Sequence, residues 1–185
     1  MYLTHAVSPT LHRMTDSLTN IQPVTPEDAE VLAALFGPYD GPVHARGVIR
    51  AFEEQLAAMP QALDDMPLFH HFADGLYGRE MHIPAGVMLT GAIHKREHFN
   101  LVLKGDISVL TEDGPMRVRA PAVLVSKPGI KRLGCAHEDT VWLTISACES
   151  KAPEAAWFEL VTDNYEDVPG EPIEVVYDTP KLTGG

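Results

Sequence analysis

The pattern of apolar and polar positions divides the chain near Leu76. Upstream, "TPEDAEVLAALFG" (25–37) sets Thr25 as an N-cap, Pro26 in the first turn, acids behind it and Gly37 as a stop, which predicts a short helix. Val48, Ile49, Phe52, Leu56 and Met59 recur at helical spacing and predict a second helix within 44–59, after the turn-rich "GPYDGP". Residues 1 to about 24 mix Thr, Ser, Pro and His with no period and read as an extended arm.

Downstream of Leu76, Gly, Pro and Asp-Gly punctuate short runs rich in Val, Ile and Leu at intervals of roughly ten residues. The runs predict strands at 76–83, 87–93, 98–104, 106–111, 115–119, 122–126, 130–136 and 140–146, hence an all-β sandwich or barrel. "TEDG" (111–114) and "KPG" (127–129) read as tight turns. Past Cys148, "APEAAWFELVTDNY" has helical composition, with Trp157 and Phe158 expected to dock it on the barrel, and "EPIEVVYD" is a candidate extended segment. Three regions result: an arm with two short helices (1–74), a barrel (75–148), and a C-terminal helix and tail (149–185).

Composition keeps this within the ordinary globular class. The 185 residues suffice for one domain with a sizeable core, and 45% hydrophobic against 22% charged residues argues against wholesale disorder. A formal charge of −12 repels phosphate backbones and anionic membranes, so neither is an expected partner; the basic stretch Lys127 to Arg132 is too sparse to reverse this. The longest apolar run, Val31 to Phe36, is too short for a signal peptide or a membrane span, and a cytoplasmic location is expected. Cys135 and Cys148 fit a reducing compartment and read as buried apolar residues.

The chemistry concentrates in "IHKREH" (93–98), which contains His-x-x-Glu-His, the ligand order of one class of zinc peptidases. That motif needs a helix to bring positions i and i+4 onto one face. Here strand-like, Gly-broken sequence flanks it on both sides, so the peptidase reading fails. On two strands joined by a short turn, His94 ends one strand, sharing a face with Ala92, and His98 begins the next, forming a two-imidazole corner.

Residues 86–132 resemble the cupins, small β-barrels whose first motif reads Gly, five residues, His-x-His, three or four residues, Glu, six residues, Gly. Here Gly86 leads to Ala92-Ile93-His94, then His98, then Gly105, so both glycines and one histidine fall in register. The second cupin motif, Gly, five residues, Pro-x-Gly, two residues, His, aligns as Pro121, Lys127-Pro128-Gly129 and Arg132. The resemblance covers roughly 76 to 146 and implies a mainly β fold: a cupin-type β-barrel (double-stranded β-helix, or jelly roll) with an N-terminal helical arm and a C-terminal helix. Cupins commonly pair through their sheets, which implies a homodimer.

Typical cupins hold a divalent transition metal with three His and one Glu. Carried over, the resemblance leaves His94 and His98 as metal ligands for Zn, Fe, Ni or Mn, with Ala92 and Arg132 standing where two further histidines are expected. A third ligand is sought in His82 or His137, or in Glu80 or Glu97, although strand alternation points His137 the other way unless Gly134 marks a bulge. If Arg132 points inward, its charge about 4 Å from a divalent cation costs on the order of 8 kcal/mol at an effective dielectric near 20, and the site favours an anion. Flanked by two imidazoles, the guanidinium would then clamp a carboxylate or phosphate. If Arg132 points out to an acid, a metal at His94 and His98 regains ground. Asn100, two residues beyond His98, shares its face and is a candidate substrate contact or partner for that histidine. Two functions stay open: a small-molecule site in the barrel, with or without metal-assisted catalysis, and a non-catalytic assembly module with vestigial histidines.

Overall fold

A computed structural model of the chain describes residues 24–58 and 66–168. Two helices come first, α1 (Pro26–Phe36) and α2 (Gly41–Ala58). Ten strands follow: β1 (Leu68–Ala73), β2 (Leu76–Ile83), β3 (Met88–Thr90), β4 (Ile93–His94), β5 (His98–Lys104), β6 (Asp106–Thr111), β7 (Gly114–Arg119), β8 (Ala122–Ser126), β9 (Leu133–Ala136) and β10 (Thr140–Ala147). The described chain closes with α3 (Pro153–Leu160), β11 (Val161–Thr162) and a 3-10 turn at Tyr165–Asp167. Most of the expected extended arm and the "EPIEVVYD" segment lie outside the described residues.

The strands form two main antiparallel sheets, one ordered β1-β2-β10-β5-β8 and the other β3-β9-β6-β7, while β11 pairs with β4. Strand alternation feeds the space between the sheets: His98, Asn100 and Val102 of β5 turn inward while Phe99 turns out. The inner core is Ile83, Val102, Ile107, Val109, Val118, Ala122, Leu124, Ala136 and Trp142. This is the mainly β, two-sheet barrel that the strand pattern predicts.

A second core lies between the outer face of the four-stranded sheet and the N-terminal helices, where Leu32, Phe36, Ala45 and Ile49 meet Leu110 and Leu133. Thr25 caps α1 by accepting from the Asp28 N–H while the Asp28 carboxylate accepts from the Thr25 N–H, as a capping box requires. Asp28 also anchors the helix, accepting from Arg119 of β7 at 2.6 Å, and Arg117 donates to Asp106 at 2.8 and 2.9 Å. A third core closes one end of the barrel: Ala156 and Leu160 of α3, with Val161, pack on Tyr77 and Cys148.

Several expectations need correction. Leu68–Ala73 is an additional edge strand paired with β2; its "LFHHF" has no turn punctuation or clean alternation to announce it. The run 87–93 splits into β3 and β4 at Gly91-Ala92, and 130–136 narrows to β9. The second helix starts at Gly41. The last one ends at Leu160, where β-branched Val161 and Thr162 go into strand conformation. Trp157 and Phe158 stay exposed, and α3 is docked by its small and aliphatic residues.

Gly105, the closing glycine of the first motif, has φ +94°, and a Cβ there would fall 2.5 Å from Thr140 Oγ1 and 2.7 Å from the Asp139 carbonyl oxygen. Only glycine allows the β5–β6 turn to pass this close to β10.

Candidate active site in the barrel

The "IHKREH" stretch is strand, turn, strand, as its flanks imply. His94 ends β4 and His98 begins β5. Three backbone contacts hold His94: β4 pairs with β11 in the register Val161 to His94, the Lys95 N–H donates to the Leu160 carbonyl at 2.8 Å, and the Gly129 N–H donates to the His94 carbonyl at 2.9 Å. The "KPG" turn and the C-terminal segment thus fix this imidazole jointly. Glu97, the residue that gave the stretch its peptidase look, is exposed in the turn.

The two imidazoles stack with ring centroids 3.9 Å apart and planes inclined at 26°. His98 Nδ1 lies 3.0 Å from the Arg96 carbonyl oxygen, which can only accept, so Nδ1 carries the proton. His98 Nε2 is therefore a bare lone pair, and it is buried without a hydrogen-bond partner. Burial lowers the pKa of His94 to about 3, assisted by His98, Arg132 and Arg79, and burial also lowers that of His98. Both rings are neutral near pH 7.

Arg132 points into the barrel. Neighbouring Lys131 turns the opposite way and pairs with Glu53 of α2 at 2.7 Å. The Arg132 guanidinium donates to Ser126 Oγ, which also accepts from Asn100 Nδ2 at 2.7 Å. Asn100 Oδ1 accepts from Trp142 Nε1 at 3.0 Å and Thr144 Oγ1 at 2.9 Å, which fixes its amide orientation. Asn100 therefore orders Ser126 and the wall around Arg132. Burial pulls the Arg132 pKa down to about 10, and among the described residues it has no carboxylate partner.

His94, Asn100, Arg132 and Arg79, together with the apolar Met81, Leu89, Ile107, Val109 and Trp142, line a cavity of about 80 Å³ between the sheets. That is room for several waters or a small ligand. Arg79 was not anticipated. The signal was present in "LYGREMHI", where Tyr77, Arg79, Met81 and Ile83 alternate inward and one charge occupies an otherwise apolar register.

The third-ligand candidates face elsewhere. His82 donates toward Glu80 at 2.6 Å, and Glu80 also meets His71 at 2.8 Å, all on the face of β2 opposite the cavity-lining Arg79 and Met81. His137 meets Ser108 Oγ at 2.7 Å, and Ser108 alternates with cavity-lining Ile107 and Val109, so β9 runs without the bulge that would turn His137 inward. Among the described residues no group of three or more His, Cys, Asp or Glu converges as a metal site. The cupin-type metal does not fit here. Stacked rings aim their lone pairs along near-parallel planes, no third donor among the described residues joins them, and a guanidinium supplies positive charge where a ligand would stand.

No helix among the described residues is long and apolar enough to cross a membrane. No protein-family model matches the sequence, and no curated protein matches it. Solved structures of similar shape include a Neisseria meningitidis protein (14% identity over 51% of this chain and 93% of that one, TM-score 0.39). Others are KdgF from a Halomonas species (12%, 46% and 82%, TM-score 0.40) and a cupin-2 domain protein from Shewanella frigidimarina (11%, 52% and 91%, TM-score 0.38). At these scores the likeness carries nothing about activity. The two-sheet antiparallel barrel carries Gly86, His94 and Gly105 in the spacing on which the resemblance to the cupins rests.

Proposed function

We propose that the barrel binds a small anionic molecule, with Arg132 as the principal contact and Asn100 and Ser126 ordering it. One observation carries this reading: a guanidinium withdrawn from water lines a cavity and, among the described residues, forms no ion pair, with Glu112 and Asp113 acting on it only from beyond contact. Arg46, Arg96, Arg117 and Arg119 all meet a carboxylate, so pairing is the habit of this acidic protein. A desolvated charge without a partner is costly, and an oxyanion ligand supplies what is lacking. Neutral His94 adds a hydrogen-bonding group on the cavity wall.

Thermal melting with added carboxylates and phosphate tests the reading, with Arg132→Met as control. A melting temperature raised by an anion in the wild type and unmoved in the variant is expected. Equal shifts in both proteins, or none in either, would overturn it.

A second reading is supported by the outer face of the five-stranded sheet. Phe99, Leu103 and Val125 are 51%, 49% and 59% exposed, and Phe99 lies between Ile145 and Val125 in register. A contiguous apolar sheet face suits pairing with a second copy of the chain, the assembly role expected from the resemblance. Binding and assembly are compatible, because the two surfaces lie on opposite sides of one sheet.

A further inference from the structure

We propose that the ligand is a short dicarboxylate, one carboxylate bound by Arg132 and the other by Arg79. The inference deepens the anion-binding reading above and rests on it.

Arg79 enters from β2 in the five-stranded sheet, whereas Arg132 immediately precedes β9 in the four-stranded sheet and reaches across to Ser126 of β8, so the two side chains enter one cavity from different sheets. Arg79 has no carboxylate partner among the described residues either. It donates to the Met81 thioether at 2.9 Å, a weak acceptor, and its guanidinium carbon lies 5.3 Å from the Trp157 ring centroid. Neither contact neutralises a charge.

Arg79, His94 and Arg132 all line this one cavity. Two guanidiniums without an ion pair among the described residues, lining one cavity, match a dianion with separated ends. Apolar residues line the space between, and the cavity of about 80 Å³ limits the linker to a few carbons. The planar guanidinium fork favours carboxylate ends.

Calorimetric titration of the whole protein with malonate, succinate, glutarate and adipate, each against the straight-chain monoacid of equal carbon number, tests the proposal. One diacid should bind about tenfold or more tightly than its monoacid partner. Arg79→Met should erase that preference and leave monoacid binding intact, Arg79→Lys should keep part of it, and Arg132→Met should weaken both acids. Equal affinity for diacids and monoacids, or a diacid preference that survives Arg79→Met, would overturn the dicarboxylate assignment while leaving the Arg132 site standing. If no carboxylate binds, both readings fall. Circular dichroism and melting of each variant separate lost contacts from lost fold.

Discussion

His94 and His98 lie ring on ring, 3.9 Å between centroids, and burial keeps both imidazoles uncharged near pH 7. The His94 pKa near 3 in the fold compares with an ordinary value of 6.5. Between those values the unfolded chain binds a proton that the folded chain does not, so stability is full above about pH 6.5 and falls as pH drops, by up to about 1.4 kcal/mol per pH unit. His94→Gln removes this group's share. Urea unfolding at about pH 7 and about pH 5 should show wild type losing roughly 2 kcal/mol more than the variant; equal losses would mean that His94 is solvated.

At Arg132 the proposed anion binding is set against stability. Holding a desolvated guanidinium without a direct ion pair costs the fold, so Arg132→Met should raise the unfolding free energy by about 1–3 kcal/mol while removing the melting shift expected from anions. A variant less stable than wild type would mean that the bond to Ser126 outweighs the burial cost.

Gly105→Ala forces a side chain onto the Thr140 and Asp139 backbone at a φ that alanine avoids. The expected loss is about 2–5 kcal/mol in urea unfolding, from the left-handed conformation plus the clash. Gly86→Ala, where a Cβ meets nothing within 4 Å, should cost only the conformational share.

Introducing charge into the exposed sheet face tests assembly. Phe99→Glu or Val125→Lys should convert a dimer to a monomer in sedimentation experiments without altering anion binding. A wild type that sediments as a monomer across the micromolar range would dismiss the second copy.

Arg119 and Thr25 hold the Asp28 carboxyl far below its usual range, and the stabilisation is present above about pH 4 and lost as pH falls through the lowered value. Asp28→Asn should lower the neutral-pH melting temperature by on the order of 5–10 °C and flatten its decline in acid. An unchanged acid profile would show that α1 is held by Leu32 and Phe36 alone.

Where the hydrophobic period was clean, the fold could be read directly from the sequence. The predicted bounds 76–83, 98–104, 106–111 and 122–126 coincide with strands, because inward residues alternate and glycine or proline punctuates the ends. Alternation alone missed β1, an edge strand exposed along its whole length, and β11, two residues long and placed by its pairing with β4.

The site was half legible. Motif spacing located His94, His98 and Arg132, and alternation turned Asn100 inward. The direction of Arg132 could not be read, because Lys131 and Arg132 stand outside β9, where alternation does not apply and Glu53 of α2 decides which of them leaves. His82 and His137 were candidates by proximity in sequence, and the face of the strand on which each lies removes them.

The pairing of Val161 with His94 gives the tail of the domain a place in the wall of the pocket. A nascent chain that has emerged only as far as β10 possesses both sheets but not the strand that fixes its central imidazole. The proposed anion site should therefore mature after the barrel does, during synthesis as in refolding, and a cut or insertion between Ser150 and Val161 should leave a folded scaffold whose pocket wall is incomplete.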